Sequence, residues 1–293
     1  MEQTTLRREE RALSVLRALY GRHGYAPSKV GPFEQYDFYA ENRSFLQSEG
    51  ILTFTDLSGR LMALKPDVTL SIVKNAREGE RAFQKSYYHE NVYRAARGEK
   101  VFREIMQAGL ECVGSLDACQ EGEVLYLARE SLRLIDKEAI LDVSHMGLAE
   151  GLLDEAGLPP PSRAGVTAAI RVKNAGVVER LCGANGVDAQ LTEKIVRLST
   201  LYGPFEAAFD EARALDVNEK TAMALAELSN LYELSCLMGG GADTRLDLSL
   251  SNDLSYYTGL IFQGFVPGIP GAMLSGGRYD NLLRRLGKQL GGV

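Results

Sequence analysis

The sequence predicts an α+β fold: a mostly antiparallel sheet flanked by helices and interrupted by a helical insertion. Two long alternating segments, 86–94 and 103–114, read as a strand pair. Further strand patterns come late, at 244–252, 255–265 and 271–276. Between these groups, residues 159–239 show helical periodicity and no convincing strand. Strands on both sides of an all-helical block point to one domain, 1–293, with an insertion, rather than two domains in series.

The elements follow in order. Leu6, Leu13, Leu16 and Leu19 or Tyr20 recur at helical spacing, and this first helix should stop near Gly21–Gly24. ILTFTD (51–56), a turn at Leu57-Ser58-Gly59 and RLMAL (60–64) form a two-strand unit, and Pro66 then introduces a helix. Ala95–Val101 joins the two long strands, with Gly98 supplying the turn. A helix at 121–136 turns Val124, Leu127, Ala128, Ser131, Leu132 and Ile135 to one side; strand 139–144 and a helix to about Ala156 come next. The Pro159–Pro161 run opens the insertion, where Leu191, Ile195, Leu198 and Leu201 form one stripe and Ala222, Leu225, Leu228 and Leu231 another. A helix at 278–286 closes the chain.

Composition bounds the function. Of 293 residues, 45% are hydrophobic and 25% charged, enough apolar material for a sizeable core. Net charge is −6, which removes the usual electrostatic argument for nucleic acid. Cys112, Cys119, Cys182 and Cys236 form no CxxC pair and His23, His89 and His145 are dispersed, so no metal or other cofactor is expected. The sequence has no signal-peptide core and no run of about 18 apolar residues, so the expectation is a cytoplasmic chain with no membrane partner.

Several residue sets have the chemistry to hold a small polar ligand. In strand geometry Met106, Ala108, Leu110 and Cys112 face one way and Gln107, Gly109 and Glu111 the other. That polar row either binds a ligand above the glycine or is a solvated outer face. Leu246, Leu248 and Leu250 alternate with Asp247, Ser249 and Ser251, and Tyr256 and Tyr257 follow. Arg94, Arg97, Lys100 and Arg103 surround the hairpin loop, as an anion site or as solvated charges. Asp67 and Thr69 stand at a helix start, where capping is the simpler role. Gly276-Gly277-Arg278-Tyr279-Asp280 is a strand-to-helix turn that also permits close approach of a ligand.

Taken in order, these segments resemble the catalytic domain of histidyl-tRNA synthetase, a class II aminoacyl-tRNA synthetase. GYAPSKVGPFE (24–34) is similar to motif 1, and YYHENVYR (87–94) with VFREIMQAGLECVG (101–114) to motif 2. LKPDVTL (64–70), NDLSYYTGLIF (252–262) and SGGRYDNLL (275–283) complete the series. The resemblance implies a six- or seven-stranded antiparallel sheet, a dimer built through the motif 1 region and a pocket for histidine. It implies that Asp67, Thr69 and Gln107 hold the amino-acid end, that Glu111 and Tyr257 address the imidazole, and that Tyr256 and the GGRYD turn complete the wall. Arg94 is the surviving motif 2 arginine and is expected among the histidine-binding residues.

The departures from that family are specific. Where its members have an RGLDYY pattern, NDLSYY places Asn252 at the arginine position; where they have FRYE, Tyr93-Arg94-Ala95-Ala96 places Ala96 at the acid. An uncharged amide cannot replace that cation in stabilising charge on a reacting carboxylate and phosphate. Motif 3 is expected after LGKQLGG (286–292), where the given sequence reaches Val293, and the expectation is a chain without motif 3 or an anticodon-binding domain. A synthetase-like pocket without the ATP chemistry resembles the regulatory subunits of ATP phosphoribosyltransferase. That resemblance implies no chemistry of its own and no tRNA. It implies L-histidine as effector and a short-form ATP phosphoribosyltransferase catalytic subunit as partner, with a self-dimer inside a hetero-oligomer. A histidine–tRNA ligase domain and a paralogue with another ligand are the alternatives.

Overall fold

The computed structural model describes residues 8–46, 50–77, 83–95, 101–241, 243–250 and 256–293. Leu6, Ala96, Arg97, Gly98, Lys100, Ser251 and Asn252 lie outside the described residues. The chain divides into two compact units, Met1–Leu116 with Asn281–Gly292, and Asp117–Asp280 with Val293.

In the first unit, α1 (Arg8–Arg22) buries Leu16, Leu19 and Tyr20. It ends where expected: Gly24 takes φ +80°, letting Tyr25 N–H reach the Tyr20 carbonyl and Gly24 N–H the Gly21 carbonyl. Strand β1 (Ala26–Pro27) then runs parallel to a later strand. β2 (Phe33–Gln35), the short helix α2 (Tyr36–Glu41), β3 (Thr53–Thr55) and β4 (Leu61–Leu64) follow, the strands forming an antiparallel sheet in the order β2-β4-β3. The β3–β4 turn is closed by Asp56 Oδ1, which accepts from Ser58 N (2.8 Å) and Arg60 N (3.0 Å). Helix α3 (Thr69–Asn75) starts just after Pro66, and Asp67 Oδ1 accepts from Leu70 N at 2.8 Å.

The long pair is confirmed and longer than the pattern suggests. β5 (Phe83–Ala95) and β6 (Phe102–Gly114) pair antiparallel from Phe83↔Gly114 to Ala95↔Phe102. Val30, Val68, Ile72, Tyr88 and Val92 form a buried cluster between α3 and one face of β5.

The second unit starts with α4 (Ala118–Ile135), whose Asp117 and Gln120 make a capping box. Its stripe is buried as expected except Ile135, which is exposed. β7 (Ile140–His145), α5 (Met146–Glu155), α6 (Pro160–Arg171), α7 (Ala175–Ala184) and α8 (Ala189–Thr200) follow. The helical stretch contains one strand that the periodicity missed, β8 (Tyr202–Pro204), before α9 (Phe205–Ala212) and α10 (Glu219–Leu237). Three residues are too few to display alternation, so β8 is visible only through its pairing with β9 (Thr244–Asp247). In α10 Ala222 is exposed, and Thr221 and Ala224 join Leu225, Leu228 and Leu231 on the buried face.

β10 (Leu260–Phe265) and β11 (Leu274–Gly277) complete a five-stranded sheet, β11-β10-β7-β9-β8. β7 and β9 are parallel, as are β1 and β5, so the antiparallel expectation holds for most but not all pairs. The helices between β7 and β9 supply the crossover that a parallel pair needs. α4 lies against β10 at Gly264, where a Cβ would sit 2.7 Å from Leu132 Cδ2. β9 ends at Asp247 rather than continuing to 252, because Asp247 Oδ1 accepts from Ser249 N (3.0 Å) and Oγ (2.6 Å) and turns the chain. Helix α11 (Asp280–Arg285) leads back to the first unit, where β12 (Gly291–Gly292) pairs with β6. The described residues thus give sheets of four, five and three strands.

Candidate functional site

The polar row of β6 is covered at its far end: Glu111 is 4% exposed, with Gln107 and Gly109 half-buried, while the opposite face runs from exposed Met106 and Ala108 to fully buried Cys112. The solvated-outer-face alternative therefore fails at Glu111. The register explains the covering: Gln107, Gly109 and Glu111 pair with Glu90, Tyr88 and Ser86, and the buried α3–β5 cluster lies on this face.

Gly109 does not leave an empty space. A Cβ there would lie 2.5 Å from Tyr88 Oη and 2.7 Å from its Cζ, so the glycine admits the tyrosine ring across the pair. Around that ring the sequence-predicted residues converge. Thr69 Oγ1 donates to Glu111 Oε1 at 2.6 Å. Arg94 donates from Nε to the Pro66 carbonyl (2.6 Å), and from one terminal nitrogen to Asp67 Oδ2 (3.5 Å) and Gln107 Oε1 (3.3 Å). Arg94 is thus turned inward, away from a hairpin anion site. Beside this group Lys65 donates to Glu90 Oε2 at 2.5 Å.

Electrostatics follow from burial. Desolvation pushes the Asp67 carboxyl above its ordinary range, against the pull of Leu70 N–H and the Arg94 guanidinium. Desolvation, with the Glu111 and Asp67 charges, holds the Tyr88 phenol well above its usual value. Two carboxylates, an amide oxygen and hydroxyls around one guanidinium make an acceptor-rich patch. It suits a small ligand that brings N–H donors and positive charge. Among the described residues no group of three or more His, Cys, Asp or Glu side chains is placed to hold a metal ion.

The first unit therefore gathers Asp67, Thr69, Arg94, Gln107 and Glu111, and adds Tyr88, which the sequence reading missed. Its signal was a tyrosine that falls opposite a glycine once the hairpin is paired in register. Tyr256 and Tyr257 belong to the second unit. Tyr257 is buried and Tyr256 half-buried, their rings edge-on at 4.5 Å, with Tyr279 at 6.2 Å from Tyr256. Asp247 is engaged by Lys173 Nζ at 2.8 Å. Along β5, Arg17, Lys29, Lys65, Tyr87, His89 and Tyr93 are among the lining of a cleft of about 1050 Å³. None of the sequence-predicted ligand residues lines it, and it includes residues 27–30 and 32 of the segment similar to motif 1. No helix among the described residues is long and apolar enough to cross a membrane.

A protein-family model described as histidyl-tRNA synthetase matches residues 1–293. A curated relative from Moorella thermoacetica, described as ATP phosphoribosyltransferase regulatory subunit, is 30% identical over 95% of this chain and 72% of its own length. Seven further curated relatives with that description are 26–31% identical, and across the eight the chain spans 61–72% of their length. Among solved structures, an ATP phosphoribosyltransferase regulatory subunit/histidyl-tRNA synthetase from Bacillus halodurans matches with TM-score 0.85 and 28% identity, over 100% of this chain and 78% of that one. A chain of the ATP phosphoribosyl transferase complex from Thermotoga maritima shares the fold, with TM-score 0.74 at 21% identity over 99% of this chain and 96% of that one. With its whole length matched by that family model and 72% of a 30%-identical relative covered, the chain belongs to the histidyl-tRNA synthetase family, as a paralogue of the ATP phosphoribosyltransferase regulatory-subunit type.

Proposed function

We propose that this chain is a non-catalytic regulatory subunit of ATP phosphoribosyltransferase that binds L-histidine and conveys feedback inhibition to a short-form catalytic subunit. The observation that carries the reading is a pairing. The acceptor-rich row of Asp67, Thr69, Gln107 and Glu111 is kept and covered, while the positions at which ligases carry an arginine and an acid hold Asn252 and Ala96. Asp67, Thr69 and Gln107 take the amino-acid end of histidine, and Arg94 orients Asp67 and Gln107. Glu111 takes the imidazole, a carboxylate being the natural acceptor for a ring N–H, and the family resemblance assigns Tyr257 to the same ring. Tyr256 closes the wall. No tRNA and no cofactor take part, and the chain acts as a self-dimer within a hetero-oligomer in the cytoplasm.

Regulation is then linkage: histidine binds one state of the complex more tightly than another, and only that difference shifts activity. The test is co-purification with a short-form phosphoribosyltransferase, followed by assay with and without histidine. Association, activation and a histidine-dependent fall in rate support the reading; a catalytic subunit indifferent to this chain refutes it. The name of the matching family model favours one other reading, a histidine–tRNA ligase domain. Histidine-dependent ATP–pyrophosphate exchange by the purified chain decides for that alternative.

A further inference from the structure

The Gly276–Asp280 turn that carries Tyr279, which the resemblance gives to the wall as a whole, is held by an ionic network. Arg278 Nε donates to Asp280 Oδ1 (3.2 Å) and Oδ2 (3.0 Å), and a terminal nitrogen donates to Glu121 Oε1. Glu121 lies buried in the first turn of α4. The backbone of the same residue is stitched on both sides: Arg278 N–H donates to the Leu260 carbonyl, and Thr258 N–H donates to the Arg278 carbonyl, each at 2.8 Å. Its two neighbours meet the tyrosines. A Cβ at Gly277 would lie 2.8 Å from Tyr257 Cδ1, and the Tyr279 ring neighbours Tyr256.

A second pair stands behind this one. His145 Nδ1 accepts from Gly147 N–H (3.2 Å), which leaves its ring proton on Nε2, donated to Glu227 Oε2 at 2.9 Å. A Cβ at Gly259 would touch both Arg278 Cδ and His145 Nε2 at 3.5 Å, so the two pairs adjoin. Arg278 is the one guanidinium in this cluster, set among the carboxyl groups of Glu121, Asp280 and Glu227. Burial pushes the Glu121 carboxyl up and the Arg278 charge draws it back, so the acid depends on the arginine.

We propose that Arg278, braced by Glu121 and Asp280, is a positioning residue that sets the Tyr256–Tyr257–Tyr279 wall and thereby the selectivity for an imidazole side chain. The inference rests on the histidine reading above and deepens it. A brace acts through geometry: recognition of a ring N–H fails when a tyrosine hydroxyl is displaced by about 1 Å, while the apolar part of the contact survives. Lysine cannot reproduce a planar fork that engages two carboxylates at once.

The test uses Arg278→Lys and Glu121→Gln in the full chain. Calorimetry reads the affinity for histidine and for 3-(2-thienyl)alanine, a near-isostere whose ring has no N–H. Arg278→Lys should weaken histidine about tenfold and compress the histidine-to-thienylalanine ratio. Glu121→Gln, which keeps an acceptor for the guanidinium, should do the same to a smaller degree with its Tm within about 2 °C of the parent. Equal weakening of both ligands, with the ratio kept, means general structural support only and overturns the proposal. So does unchanged affinity in both variants. A parent chain that fails to bind histidine refutes the functional reading itself, which the variants alone do not touch.

Discussion

Gly109→Ala should destabilise the protein and impair ligand binding together. The added methyl would sit 2.5 Å from Tyr88 Oη and 2.7 Å from Cζ, about 1 Å inside ordinary contact. The ring has little room to retreat, being packed among Val30, Val68, Ile72 and Val92. Its hydroxyl is bonded to Thr69, which in turn donates to Glu111, so any retreat also disturbs the polar row. Overpacking of this kind costs about 1–3 kcal/mol. Urea unfolding should show it as a lower midpoint at unchanged slope. A double-mutant cycle sharpens the test. Tyr88→Leu removes the colliding atoms, so Gly109→Ala should cost far less in that background, with a coupling of at least about 1 kcal/mol. Gly109→Ala with the parent's midpoint, or a cycle that closes to zero, would refute the Tyr88–Gly109 argument.

Two further outcomes follow from the same geometry. Glu111→Gln retains an oxygen for Thr69 but loses the charge, and histidine affinity by calorimetry should fall about ten- to a hundredfold, the worth of one charge-assisted bond; affinity equal to the parent removes Glu111 from the site. Burial, and after it the Asp247 charge, push the Asp142 carboxyl from 3.8 up to about 6, and its Oδ1 is buried without a hydrogen-bond partner in the structure. Its folded pKa exceeds its unfolded one, so its contribution is full below about pH 4 and is lost as pH rises through about 6. Asp142→Asn should therefore gain stability relative to the parent across that window and hold the gain above it; parallel urea-midpoint curves from pH ~4 to ~7 would contradict this.

The alternation of 103–114 told which residues share a face, because a strand has a strict period of two. It could not tell which face is covered, because that depends on where α3 packs. Met106 and Ala108 look like core positions by composition, yet both are exposed, while Glu111 on the other face and Cys112 on their own face are both buried. The hairpin itself was legible from its length and polar connection. The Tyr88–Gly109 match was not, since register is fixed by pairing rather than by either strand alone. Asp67 and Thr69 were legible as helix-start residues through Pro66, and their convergence with Gln107 and Glu111 came from the family resemblance. The Arg278–Glu121 contact spans 157 positions and leaves no local pattern. β9 was overextended because the Leu/Ser alternation runs on past Asp247, whose side chain bends the backbone there.

The polar row also bears on how little movement regulation would need. The Asp67 and Glu111 carboxyl groups lie buried near the single Arg94 guanidinium, and burial disfavours the charged form of Asp67. A ligand that brings an ammonium or an imidazole N–H supplies what burial withholds, and the gain exceeds that of the same contact on an open surface. Coupling between two sites typically amounts to about 1–3 kcal/mol, a 5–150-fold change in affinity. One charge-assisted hydrogen bond is of that size. On the proposed reading, two states of the complex that differ only in how well Glu111 or Asp67 meets the ligand already account for feedback. A rearrangement confined to the row, with Tyr88 holding the hydroxyl side and Arg94 the carboxylate side, is then sufficient, and no chemistry at the site is required.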